Sequence, residues 1–177
     1  MERGTSDDPA SVEEAVELTG AAGSEPLRIR GRIDRIDICP DGFFVIYDYK
    51  TGAQHPKFKD IDTGKALQLP LYLLAFESIS GKRGVAAGYY KIRKDVESRM
   101  LLCDETGKDL IVSRPRISPD FTGTLGRSRE FALEYIGRIR KGEFPLPSEE
   151  KCPNAYCEFR HICRFDPYRV FKCEEVT

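Results

Sequence analysis

The spacing of apolar and polar residues changes period several times along the chain, and each change predicts an element. Residues 1–10 show no period and are expected to form a disordered leader. In "SVEEAVELTG" (11–20), Ser11 stands at an N-cap position, Glu14 follows three residues later and Gly20 supplies a stop, which predicts a short helix. From "EPLRIRGRIDRIDI" the period becomes two. Leu27, Ile29 and Ile33 alternate with Arg28, Arg30 and Arg32, so a strand is expected, bent at Gly31. "PDG" at 40–42 reads as a hairpin turn and "FFVIYDYK" as the return strand, whose unbroken apolar start at Phe43–Tyr47 suits a central position covered on both faces.

Farther on, Leu67, Leu71 and Leu74, together with Tyr72, Phe76 and Ile79, recur at helical spacing. They predict a helix buried on most faces and beginning near Pro70. "GVAAGYYKIRK" reads as a strand, and "RMLLCDETGKDLIV" as two strands hairpinned around "DETGKD". "SREFALEYIGRIRKGEF" places Ala132, Ile136 and Ile139 on one face and Arg127, Arg138 and Lys141 elsewhere, an amphipathic helix ending at Gly142. The order of elements predicts an α/β sandwich around a mixed sheet.

A length of 177 residues, 40% hydrophobic and 32% charged, suits one soluble globular domain with a sizeable core. The net charge of −1 is unevenly spread: residues 1–25 carry −6, leaving the remainder at +5. A mildly basic body permits a polyanionic partner without demanding one. No apolar run reaches the roughly 20 residues of a membrane span, and no signal-peptide layout is visible. Six cysteines without a secretory signal point to a reducing, cytoplasmic setting, hence to metal ligands or buried thiols. Cys39 and Cys103, in strand-like apolar surroundings, read as small core residues.

The predicted hairpin changes this neutral picture. Asp34 and Asp48 are nearly equidistant from its turn and so converge, while Asp48 and Lys50 share a face at i and i+2. Carboxylates so close repel unless a cation lies between them, and hard oxygen donors suit Mg²⁺ or Mn²⁺. The Tyr49 carbonyl would complete such a cage. Lys50 would hold an attacking water or stabilise developing phosphorane charge, the parts that phosphodiester hydrolysis requires. The alternative is a surface salt-bridge ladder of Asp34, Arg35, Asp37 and Lys50 on an edge hairpin.

"GRID", then "YDYKTG" after a turn, then "QLPLY" resembles the RecB-type branch of the PD-(D/E)xK nucleases, and most of all the nuclease domain of AddB-type subunits of bacterial helicase–nucleases. The resemblance implies a restriction-endonuclease-like mixed sheet flanked by helices. It implies metal binding by Asp34 and Asp48, with Lys50 completing the centre and Gln68 and Tyr72 facing it from the next helix. It further implies a Mg²⁺-dependent deoxyribonuclease, an exonuclease working on DNA beside a helicase partner in double-strand-break repair and recombination. Single-stranded DNA is the expected substrate, since the net charge is too small for a self-sufficient duplex clamp. The family's upstream helix carries a His or Glu near the metal; Glu13, Glu14 and Glu17 are candidates here by position alone.

The tail, residues 145–177, is cysteine-rich. Cys152, Cys157 and Cys163 form a C-x4-C-x5-C tract whose thiolates suit Zn²⁺ or iron–sulfur. It is similar to the cysteine triad of the iron–sulfur nucleases in the same family, though with a longer first spacing. That similarity implies a 4Fe–4S cluster and a tail packed on a nuclease core spanning 11–144. Those relatives draw a fourth cysteine from upstream, where this chain has none; Cys173 is the remaining candidate. The chain is therefore expected to be a fragment from the C-terminal end of a larger polypeptide, one that need not cleave alone. Two other readings stand beside this one: a non-cleaving DNA-binding module with a nuclease fold, and a stand-alone iron–sulfur nuclease of CRISPR adaptation or phage recombination.

Overall fold

A computed structural model describes residues 15–19, 26–52, 56–92, 97–113 and 115–144. The chain divides into two units, residues 1–137 and 138–177. Of the second, residues 138–144 are described: the end of a helix and a turn at Gly142, whose φ of 72° is the left-handed conformation glycine adopts without strain. The predicted leader and the cysteine tail lie outside the described residues.

The first unit opens with two short strands, β1 (Val16–Leu18) and β2 (Leu27–Ile29), which pair antiparallel as a sheet of their own. Over 15–19 this corrects the helix expected for 11–20; residues 11–14 and 20 lie outside the described residues. Val16 and Leu18 are buried while Glu17 between them is exposed, the period of two of a strand. Glu17 pairs with Arg28 across the ladder at 3.4 Å, both side chains being more than half exposed. The single bent strand expected from Leu27 onward is also divided. Residues 30–34 leave the small sheet, and β3 (Arg35–Ile38) begins in the main one.

β3 turns into β4 (Phe43–Lys50) through the expected hairpin, with Cys39 N–H donating to Phe43 O at 2.8 Å and Gly42 at φ 82°. A five-residue helix, α1 (Phe58–Asp62), follows; no apolar period announced it. Then come α2 (Gln68–Ser80), closed by Gly81 at φ 64°, and β5 (Arg83–Lys91). β6 (Glu97–Cys103) completes the four-stranded sheet, in the order β3-β4-β5-β6. β4 and β5 run parallel, and the outer pairs run antiparallel, so the sheet is mixed as expected.

After β6 the chain forms α3 (Glu105–Leu110), where a hairpin was expected. Two local interactions decide this. The Asp104 carboxylate accepts the Gly107 N–H at 2.8 Å, an N-cap, and Arg83 forms an ion pair with the same carboxylate. Gly107 also lies so close to β5 that a Cβ there would meet Val85 O at 2.5 Å. The last helix, α4 (Phe121–Arg140), begins seven residues before the amphipathic stretch that predicted it, and is held by Arg127, which pairs with Asp120 at 2.8 Å and Asp62 at 3.1 Å.

α2 lies between the two sheets, which is why most of its faces are apolar. Leu69, Leu73 and Phe76 pack on Phe44, Ile46, Ala87 and Leu102 of the main sheet. Its other side meets Val16, Leu18 and Leu27, with Ala132 from α4. Phe44 and Phe76 meet edge to face, with centroids 4.8 Å apart, and each such buried side chain contributes about 1.5–3 kcal/mol. The opposite sheet face buries Val45, Val85, Cys103 and Ile111, so Cys103 is the core thiol its context suggested.

Gly88 marks a register shift between β5 and β6, where a Cβ would lie 2.4 Å from Arg99 O and 2.7 Å from Met100 Cα. Gly88→Ala should therefore destabilise the protein by about 1–3 kcal/mol. Gly126→Ala, inside α4 with nothing within 4 Å, should stabilise it by up to about 1 kcal/mol. Urea unfolding midpoints of the two variants check both signs.

Candidate active site

Backbone pairing alone brings the hairpin charges together. The β3–β4 ladder pairs Arg35 with Tyr47 and Ile36 with Ile46, so one step beyond its end Asp34 comes opposite Asp48. The ladder stops there, and the Tyr49 N–H takes the Asp34 carboxylate in place of a strand partner, at 2.8 Å. A residue's N–H and C=O leave a strand on the same edge. The Tyr49 carbonyl therefore faces the Asp34 side, whereas Lys50 O faces β5 and accepts Ile92 N–H at 3.1 Å.

Asp48 follows Phe44 and Ile46 on the α2 face of β4 and is only 4% exposed. Gln68, the first residue of α2, donates through Nε2 to Asp48 Oδ1 at 2.7 Å and to Tyr72 Oη at 3.2 Å. Its Oε1 accepts from Lys50 Nζ at 3.3 Å. One amide thus orients a carboxylate, an ammonium and a phenol at once. Lys50 Nζ lies 2.5 Å from Asp48 Oδ2 and 5.2 Å from the centre of the Tyr89 ring. The contact with Oδ2 is an ion pair without hydrogen-bond alignment, which leaves that buried oxygen with no hydrogen-bond partner. The Lys50 charge compensates the burial of that oxygen.

Asp34, Asp48, Lys50, Gln68 and Tyr72 therefore meet at one end of the sheet. The surface-ladder alternative holds for only part of the set. Arg35 and Asp37 do pair with each other in the open at 2.7 Å, with Arg35 stacked 5.2 Å over Tyr47, but Asp34 and Lys50 are engaged elsewhere. Lys50 also offsets Asp48, so the mutual repulsion expected of the two aspartates is partly relieved within the protein.

The donor set fits a hard divalent cation. It offers Asp48 Oδ2, the second Asp34 oxygen and the Tyr49 carbonyl, and Mg²⁺ needs only one or two carboxylates because it keeps several waters. Among the described residues no three His, Cys, Asp or Glu side chains form a metal-binding group. Glu13, Glu14, Cys152, Cys157, Cys163 and Cys173 lie outside them.

Tyr89 was missed from the sequence. It is buried on β5, paired in register with Asp48, and burial pushes its hydroxyl up to about 12, with the Asp48 and Asp60 carboxylates adding to the shift. "GVAAGYYK" identified the strand, but only its register against β4 selects Tyr89 over Tyr90 as the neighbour of Lys50.

The PD-(D/E)XK nuclease superfamily matches residues 2–164, and the chain belongs to it. It is also similar to curated proteins named as the B subunit of an ATP-dependent helicase/deoxyribonuclease. The one from Thermoanaerobacter sp. (strain X514) is 27% identical over 136 residues, covering 72% of this chain and 12% of that protein. Those from Alkaliphilus oremlandii and Symbiobacterium thermophilum are 29% and 26% identical, covering 71% and 82% of this chain and 13% and 17% of theirs. The chain thus spans less than a fifth of the length of these relatives. No solved structure matches. Among the described residues no helix is long and apolar enough to cross a membrane.

The Tyr89 hydroxyl makes a pH prediction. Its folded pKa of about 12 lies above the ordinary 10.0, so the stability it contributes is full below pH 10 and falls from there to pH 12, as the unfolded chain releases a proton that the folded one keeps. The difference in urea-unfolding free energy between the wild type and Tyr89→Phe should shrink across that window.

Proposed function

We propose that the chain is the nuclease domain of a helicase–nuclease, a divalent-metal-dependent exonuclease acting on single-stranded DNA. The observation that carries this is Asp48: buried, held by Gln68 through Oδ1 and by the Lys50 ion pair through Oδ2, beside Asp34 and the Tyr49 carbonyl. Those three groups would hold Mg²⁺ or Mn²⁺. The metal, when bound, would polarise the phosphodiester and make water a stronger nucleophile.

The protein's own side chains have separable tasks. Lys50 is directed by Asp48 and Gln68, and its ammonium offsets negative charge on the phosphate as the bond to the leaving oxygen breaks. Gln68 holds both partners from a rigid helix end, so the spacing between carboxylate and ammonium does not drift as substrate enters. Tyr72, one helical turn along, fixes the Gln68 amide in the orientation that serves both. The Tyr89 ring lies against the Lys50 ammonium, a cation–π contact that limits where it can move.

A helicase partner is supported by the names of the relatives and a cytoplasmic location by the cysteine usage; a role in double-strand-break repair follows from the family resemblance alone. For the tail the reading rests on spacing alone: Cys152, Cys157 and Cys163 as thiolate ligands of a 4Fe–4S cluster, with Cys173 or a residue outside this chain as the fourth.

Asp48→Asn preserves shape and should reduce divalent-dependent cleavage of a single-stranded oligonucleotide by about 10²–10³-fold or more. The same variant should lose the rise in melting temperature that saturating Mg²⁺ or Mn²⁺ gives the wild type, a ligand stabilisation of about 3 kcal/mol at a hundred times Kd. Undiminished cleavage, or an undiminished thermal shift, would refute the assignment. Iron and sulfide analysis of the anaerobically purified chain tests the tail. Three matched cysteines predict substoichiometric cluster; stoichiometric zinc would replace it with a structural zinc site.

A further inference from the structure

The main sheet carries a second feature on the face of Asp48. The ladders align Asp48 with Tyr89 across β4–β5, and Tyr89 with Arg99 across β5–β6. Partners in a ladder project to the same face, so Arg99 shares the face of the candidate centre. Two strand spacings put its backbone about 10 Å from that of Asp48.

Beside Arg99 opens a cavity of about 390 Å³, whose walls include Phe58 from the start of α1, Leu101, Arg116, Ile117 and Pro119. Among the described residues that line it, the two charged side chains are both guanidiniums and none is acidic. The cavity is built by specific contacts. The bulge at Gly88 lets β6 approach β5 closely, and bulges re-aim the side chains beside them. The opposite wall is pinned to β6 by Ser118, whose N–H donates to Cys103 O at 2.8 Å and whose Oγ accepts Cys103 N–H at 3.1 Å. That pair of hydrogen bonds fixes the segment two residues from Arg116.

We propose that this cavity receives a nucleotide of the DNA strand, close along the chain to the phosphodiester held at Asp48. Its phosphate pairs with Arg99 and Arg116, for which the planar guanidinium is suited, and its base lies against the apolar wall of Phe58, Leu101 and Pro119. A bare anion would use the arginines and leave that wall idle; a nucleotide uses both. The proposal rests on the nuclease reading of the Asp48 centre, and it explains how a chain of small net charge directs a strand to that centre: grip is concentrated beside the site rather than spread over the surface.

The test uses the full chain carrying Asp48→Asn, so that bound DNA is not consumed, and a fluorescently labelled single-stranded oligonucleotide read by anisotropy. Adding Arg99→Ala and Arg116→Ala should weaken binding about tenfold or more, and should flatten the dependence of log K on log salt by about 0.7 for each phosphate that is no longer neutralised. An oligonucleotide with an abasic position next to the cleaved bond should bind the Asp48→Asn protein more weakly than the intact strand. Should the alanine pair unfold, Arg116→Glu alone on its exposed segment decides, and a loss of binding is again expected. Unchanged affinity and salt slope in the arginine variants overturn the proposal, and equal binding of the abasic strand overturns the nucleotide assignment. The nuclease reading fails differently: cleavage that survives Asp48→Asn rejects that reading whatever the arginines do.

Discussion

The alternation along β4 is the constraint on which both core and candidate site depend. Phe44, Ile46, Asp48 and Lys50 occupy one face; Phe43, Val45, Tyr47 and Tyr49 occupy the other. Parallel pairing with β5 locks this register, because a slip of one residue would turn Phe44 and Ile46 away from α2 and carry Asp48 and Lys50 away from Gln68. The apolar part of the strand thus positions its charged end. Burying Phe44 and Ile46 against α2 places a carboxylate in the same row, and that carboxylate is tolerated because Lys50 and Gln68 meet it there.

The helix α2 has a similar double task. Leu69, Leu73 and Phe76 fasten it to the sheet, and its other side fastens it to β1 and β2. Held from both directions, its first residue is a rigid point, and Gln68 stands there. Sites built on regular elements keep their geometry better than sites on loops. Here the polar triangle of Asp48, Lys50 and Gln68 joins a strand end to a helix start, so the candidate site and fold stability share the same packing.

The expected hairpin, the central strand and the buried helix were legible because each has a strong local signal: "PDG", an unbroken apolar run, and leucines at helical spacing. The failures were also local. The stretch around Val16 and Leu18 was read as helix, but as β1 it adds both side chains to the layer over α2. "DETGKD" imitates a hairpin turn, but Asp104 is captured as an N-cap and by Arg83, and Gly107 fits against β5 as only glycine does.

For the candidate site, the sequence by itself determined which residues to propose for the chemistry. Asp34, Asp48 and Lys50 are singled out by charge within strands, and by their distances from a turn, because strand periodicity and hairpin symmetry are properties of the local chain. It also placed Gln68 and Tyr72 on one helical face. What it left open was every relation between elements distant in sequence. Only the tertiary structure joins Gln68 to Asp48, sets Tyr89 rather than Tyr90 beside Lys50, and brings Arg99 and Arg116 to one cavity. Those relations follow from the register of β5 on β4 and the bulge at Gly88, and register is decided by how whole faces pack, a sum over many side chains that no short stretch contains.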